Sequence, residues 1–241
     1  LHEMRLRKSQ EEIAILRRAA AITAEGHIAA MRAAKPGAYE YELAALLDYT
    51  YKRLGAEGSG YSPIVAGGAN ATVLHYRRNR DRLEKGQLLL IDSGAEYDFL
   101  TADVTRTYAV GGPMSRPQRQ IYDLVLEAQL AAIDLVRPGR SFGAAHKVVV
   151  ETLTRGLVKL KLIEGPVDDA IETGRYKKFY MHRTGHWLGM DVHDVGQYFD
   201  SRTLARGGEG DERALEEGAV VTVEPGLYFP TDAEGVPEQY Q

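Results

Sequence analysis

The sequence predicts an α+β fold, a mainly antiparallel sheet covered by helices. Three observations predict it: segments with apolar residues at helical spacing come in two pairs, each pair is followed by short β-rich segments, and Gly and Pro break the chain between them.

The first helix starts at Ser9-Gln10-Glu11-Glu12, a capping box in which Ser and Glu satisfy each other's backbone donors. The apolar residues that follow (Ile13, Leu16, Ala20, Ala24, Ile28) keep one face, and Pro36-Gly37 ends the element. Glu40 to Leu54 repeats the pattern and Gly55 supplies a stop. Gly58 to Thr72 is rich in Gly, Ser, Pro and Asn and reads as a loop delivering the chain into Val73-Leu74-His75-Tyr76, which puts His75 on a strand. Leu88-Leu89-Leu90-Ile91 is a buried strand, Gly94 to Leu100 a turn, and Ala102 to Val110 the returning strand of a hairpin. Ser115 caps a helix that carries Ile121, Leu124, Val125, Ala128 and Leu135 as far as Pro138-Gly139, and a further helix runs from Ser141 to about residue 162. From Tyr180 the chain is rich in Gly and His, and Ala219 to Val223 reads as a buried strand stopped by Pro225-Gly226. The repeated order of helices and strands hints at two similar halves within one domain spanning residues 1–241.

Composition narrows the chemistry. The net charge of −4, from 34 acidic and 30 basic residues, gives no field for nucleic acid or an anionic membrane surface. Arg77-Arg78-Asn79-Arg80-Asp81-Arg82 is short, interrupted by acid and without aromatics, and reads as a solvated loop. No apolar run approaches the ~18 residues of a membrane span, and no signal-like layout opens the chain, so a soluble protein is expected, and the absence of cysteine agrees with a cytoplasmic one. With no cysteine, metal chemistry falls to Asp, Glu and His.

Two clusters can do such chemistry. A hairpin turn centred between Tyr97 and Asp98 sets Asp92 opposite Asp103 on one face, where like charges need a cation or a shared proton. The competing reading has one Asp capping the turn and the other facing solvent. The second cluster, Met181 to Asp194, holds three of the seven histidines: His182, His186 and His193. His182 and His186 have the spacing of a helical metal pair, but Gly185 and Gly189 disfavour a helix, so the two need not share an ion. His2, His27 and His146, on or near helical segments, are read as structural. Glu224 ends a strand where Pro225-Gly226 turns the chain away. Asp92, Asp103, His186 and Glu224 together suit Mn²⁺, Co²⁺ or Zn²⁺.

Four segments carry a resemblance: Leu90-Ile91-Asp92-Ser93-Gly94-Ala95, Ala102-Asp103-Val104-Thr105-Arg106-Thr107, Gly185-His186-Trp187-Leu188-Gly189 and Val223-Glu224-Pro225-Gly226-Leu227-Tyr228. In type and order they resemble the metal-ligand segments of the pita-bread metallopeptidases. Within that family, His182 to Trp187 with Asp191 to Gly196 is similar to the aminopeptidase P branch; a methionine aminopeptidase would carry a His-Glu step in place of His193-Asp194.

The resemblance implies the pita-bread fold with two pseudo-symmetric halves, two divalent ions, most readily Mn²⁺, and release of the N-terminal residue from peptides with proline second. It implies metal ligation by Asp92, Asp103, His186 and Glu224, proton transfer by Glu224, contact of His193 with the scissile carbonyl, and a substrate cleft lined by His75 and His182. The alternatives are a prolidase acting on dipeptides and a non-catalytic peptide- or protein-binding module; a homo-oligomer is compatible with either. The family's fifth ligand is a Glu on a final strand, shortly after a segment like Val236 to Gln241. The expectation is therefore a catalytic fragment without that strand and without the N-terminal domain usual in this branch.

Overall fold

A computed structural model describes residues 1–199 and 212–240. Gln241, the residue at which the expected fragment ends, lies outside them. In chain order the elements are α1 (His2–Leu6), α2 (Gln10–Ala33), α3 (Glu40–Arg53), β1 (Gly58–Ser59), β2 (Ile64–Gly67), β3 (Leu88–Ser93), β4 (Ala95–Tyr97), β5 (Leu100–Thr101), β6 (Val104–Ala109), α4 (Arg116–Ile133), α5 (Phe142–Lys159) and α6 (Val167–Glu172). Short 3₁₀ turns stand at Gly68–Thr72, Arg175–Lys178 and Glu238–Tyr240. Among the described residues no helix is long and apolar enough to cross a membrane.

The chain divides into two compact units. The sheet unit comprises Lys8–Arg119 with Leu188–Asp194; the helical unit comprises Leu1–Arg7, Gln120–Trp187 and Val195–Gln241.

In the sheet unit the predicted capping box starts α2: the Ser9 hydroxyl accepts from the Glu12 N–H at 3.2 Å, and the Glu12 carboxylate accepts from the Ser9 N–H at 2.7 Å. Ile22 and Ala30 of α2 and Leu43, Leu47 and Tyr51 of α3 pack on Val65, Leu89 and Ile91 of the sheet. Gly26 lets the helices approach, since a Cβ there would lie 2.3 Å from the Tyr51 ring. Two three-stranded antiparallel sheets result, in the orders β1-β4-β5 and β2-β3-β6. The period of two along β3 buries Leu89, Ile91 and Ser93 and turns Leu90 and Asp92 to the other face. Leu90 there packs on Ile64, Ala66 and Tyr76.

Two expectations are corrected in this unit. The hairpin turn is centred one residue later, between Asp98 and Phe99, which both take left-handed backbone (φ 49° and 64°), as a tight two-residue hairpin turn demands. Asp92 is consequently paired with Thr105, and Asp103 is its diagonal neighbour. The offset is even, so both carboxylates keep the same face. The second correction concerns His75, which lies in a turn with φ 54° and not on a strand. The strand forms upstream, where Ile64–Gly67 pairs with Leu89 to Asp92, and Val73 and Leu74 stay exposed.

In the helical unit, α4 and α5 share a core of Leu124, Ala128, Ala132, Ala145, Val149 and Leu153, joined by Leu6, Tyr180 and Trp187. Gly156 admits Leu124, whose Cδ1 is 2.3 Å from where a Cβ would stand. The strand expected over Ala219 to Val223 is reduced to single bridges, Arg7 with Ala219 and Trp187 with Val221. Its backbone is nevertheless paired, by Thr222 N–H to His186 O at 2.9 Å and Glu224 N–H to Thr184 O at 2.7 Å. Gly185 makes that pairing close: a Cβ there would sit 2.1 Å from the Thr222 carbonyl oxygen.

Candidate metal centre

The sheet unit brings Asp92 and Asp103 together through a residue the sequence reading missed. The Tyr61 hydroxyl lies 2.5 Å from Asp92 Oδ1 and 2.9 Å from Asp103 Oδ1. Burial, and then the two neighbouring carboxylates, hold its proton on far above the usual phenol range. One hydroxyl has one proton and cannot donate fully to both, so the pair remains a strong acceptor of positive charge. Tyr61 reaches them because Gly60 lies flat against Thr101, whose Oγ1 is 2.0 Å from where a Cβ would stand. No periodicity or motif in the sequence marks that tyrosine.

Gly94 shapes the same site. A Cβ there would lie 1.7 Å from the Ala102 carbonyl oxygen, so only glycine lets the hairpin kink between Ser93 and Ala95, and Asp103 emerges just past the kink.

The sheet unit also faces His75 towards His193, ring centroids 6.5 Å apart and planes at 52°. The His75 turn is fastened beneath by Glu40, which is fully buried. Its Oε1 accepts from Gly67 N–H at 2.9 Å and the Asn70 amide at 3.0 Å; its Oε2 accepts from the Tyr76 hydroxyl at 2.8 Å and Asp81 N–H at 3.0 Å. Asn79, inside the arginine-rich run, holds the loop to β2 by accepting from Val65 N–H at 3.0 Å and donating to Pro63 O at 2.8 Å.

The helical unit pairs His186 with Glu224, Nε2 to Oε1 at 3.2 Å. His186 Nδ1 is 2.9 Å from the Trp187 carbonyl oxygen, which can only accept, so Nδ1 carries the proton. In the neutral ring the Nε2 lone pair then faces a carboxylate, a donor set suited to a metal ion. Thr222 orders both groups: its hydroxyl accepts from His186 N–H at 2.9 Å and donates to Glu224 Oε1 at 2.9 Å. His182 is held apart from this pair. Its Nδ1 donates to the Arg183 carbonyl at 2.7 Å, and its Nε2 accepts from the Tyr228 hydroxyl at 2.9 Å. His182 and His186 lie on no helix and have separate partners.

His27 and His146 are built into the units. His27 is buried with Nε2 3.3 Å from Ser93 O, and His146 Nδ1 meets the Thr184 hydroxyl at 2.9 Å. Burial lowers both pKa values. Among the described residues no group of three or more His, Asp or Glu side chains is gathered as a metal cluster; the donors come as the two pairs. The chemistry of the pairs, carboxylate oxygens in both and the His186 imidazole in one, fits a divalent cation.

The model of metallopeptidase family M24 matches residues 14–238. The chain belongs to metallopeptidase family M24. This M24 chain is 48% identical, over its whole length, to an Xaa-Pro aminopeptidase of Haemophilus influenzae, of which it covers 54%. It also superposes over its whole length on 53% of the Pseudomonas aeruginosa aminopeptidase PepP chain, with a TM-score of 0.95 and 46% identity. A substrate complex of Escherichia coli aminopeptidase P gives 0.93 at 46% identity, with 52% of that chain covered. The fold is thus the α+β pita-bread fold of the family. The M24 chain spans about half the length of the curated relatives it matches.

Proposed function

We propose that the protein is a metal-dependent aminopeptidase that releases the N-terminal residue from peptides with proline in second position. The observation that carries this is the convergence of Asp92 and Asp103 on one hydroxyl, in a chain 48% identical to an Xaa-Pro aminopeptidase.

In this reading Asp92 and Asp103 of the sheet unit and His186 and Glu224 of the helical unit would supply the ligands for divalent metal ions; Mn²⁺ is preferred, with Co²⁺ or Zn²⁺ compatible. Two such ions, when bound, bring the pKa of a water towards neutrality and polarise a carbonyl. Tyr61 and Thr222 keep the carboxylates aimed by hydrogen bonds that do not depend on substrate. Glu224 accepts the proton of the attacking water and passes it to the departing prolyl nitrogen. His193 donates a hydrogen bond to the scissile carbonyl oxygen as negative charge develops there. His75 and His182 line the substrate cleft, His182 held in one tautomer by Arg183 O and Tyr228. The acidic net charge and the short basic run favour peptide over nucleic-acid partners, and the cytoplasm is the compartment proposed.

The test is a substrate panel with the intact protein and Mn²⁺: an Xaa-Pro-Yaa tripeptide, the Xaa-Pro dipeptide and an Xaa-Ala-Yaa control. Faster release from the tripeptide than from either of the others is expected. Preference for the dipeptide assigns the protein as a prolidase, and no hydrolysis of any assigns it as a binding module.

A further inference from the structure

Outside the donor pairs the sheet unit holds a buried ion pair. Lys8 stands just before the N-cap of α2, and its Nζ lies 3.3 Å from Asp194 Oδ2; the two side chains are 2% and 0% exposed. Lysine and aspartate are almost never buried this fully unless paired. Such a pair is a poor stabiliser compared with apolar side chains of the same volume, so stability alone does not account for it.

What the pair grips is the segment Leu188–Asp194, which has no helix or strand of its own. At one end the Thr101 N–H donates to Gly189 O at 2.9 Å and the Gly189 N–H donates to Asp191 O at 3.2 Å. At the other end Asp194 reaches back over the same glycine. A Cβ on Gly189 would lie 2.1 Å from Asp194 Oδ2 and 2.9 Å from Lys8 Cε, so the ion pair packs directly on the Gly189 backbone. The segment is closed on itself. His193, exposed, immediately precedes the buried Asp194 and faces His75.

We propose that Lys8 and Asp194 form a positioning pair that fixes the His193 imidazole opposite His75 and so aims it at the substrate carbonyl. The inference rests on the aminopeptidase reading for what His193 does, but not for where its ring is held. Neither Lys8 nor Asp194 touches substrate; both act through the backbone of residues 189–194.

The experiment compares intact wild type with Lys8→Met, reading two quantities: the cross-peak between His75 and His193 ring protons in histidine-labelled protein, and the kcat and KM for an Xaa-Pro-Yaa tripeptide. The expected result is loss of the cross-peak and a fall in kcat of about tenfold to a hundredfold, with KM within about twofold and Mn²⁺ content unchanged. Retention of either the cross-peak or the wild-type kcat overturns the proposal. If Lys8→Met does not fold, Asp194→Asn, which keeps the shape and removes the charge, is held to the same two criteria. Should wild type hydrolyse no peptide, the aminopeptidase reading fails and the cross-peak alone decides the positioning role.

Discussion

His186 Nε2 lies 3.2 Å from Glu224 Oε1 while His186 Nδ1 is committed to the Trp187 carbonyl, so two electron-rich groups face each other in the helical unit. In the sheet unit Asp92 and Asp103 share the one proton of Tyr61. Both donor sets suit a divalent cation, which leads to the first prediction. Asp103→Asn removes one of these charges and is expected to abolish Mn²⁺ binding, measured by isothermal titration. Unchanged affinity would remove Asp103 from the ligand set.

Tyr61→Phe takes away a hydroxyl that donates to charged acceptors, a class of bond worth about 1.5–3 kcal/mol. Urea denaturation without metal is expected to show a loss of that order. Mn²⁺ is expected to recover most of it, because under the proposed ligation an ion there would neutralise Asp92 and Asp103. A loss that Mn²⁺ leaves unchanged would mean that Tyr61 packs without tending the carboxylates.

His193→Ala is expected to lower turnover about a hundredfold, the scale of one lost oxyanion donor, with bound Mn²⁺ unaffected. Release of metal by the same variant would instead place His193 among the ligands.

His27 is buried and its folded pKa lies below the ordinary 6.5, with desolvation the largest cause. Its neutral form is the folded one, so its contribution to stability is complete above the unfolded pKa and is lost as pH falls from there through the folded pKa. His27→Gln, which keeps a donor for the Ser93 carbonyl, is expected to flatten the decline in stability below about pH 6.5. Urea midpoints at a series of pH values check this, and parallel curves for the two proteins would contradict it.

Much of this architecture was legible in the chain. Ser9 to Glu12, Ser115 and Ser141 mark helix starts by chemistry that is local, so each start was read correctly. The shared face of Asp92 and Asp103 was also legible, because an even register shift preserves the side of a sheet even though the turn moved by one residue. His75 was misplaced because Val73 and Leu74 look like strand residues, while the ladder that decides the matter is made by Ile64–Gly67, whose partner lies on β3. Tyr61, Thr222 and Lys8 were invisible for a related reason. Their partners are 31, 36 and 186 residues away for Asp92, His186 and Asp194 respectively, and no local pattern encodes such pairings.

The most direct test is release of the N-terminal residue from an Xaa-Pro-Yaa tripeptide by the intact protein, first stripped of metal and then supplied with Mn²⁺, with Asp103→Asn alongside. The account predicts hydrolysis by wild type only when Mn²⁺ is present and none by the variant under either condition. Metal-independent hydrolysis, or equal activity in Asp103→Asn, would contradict it.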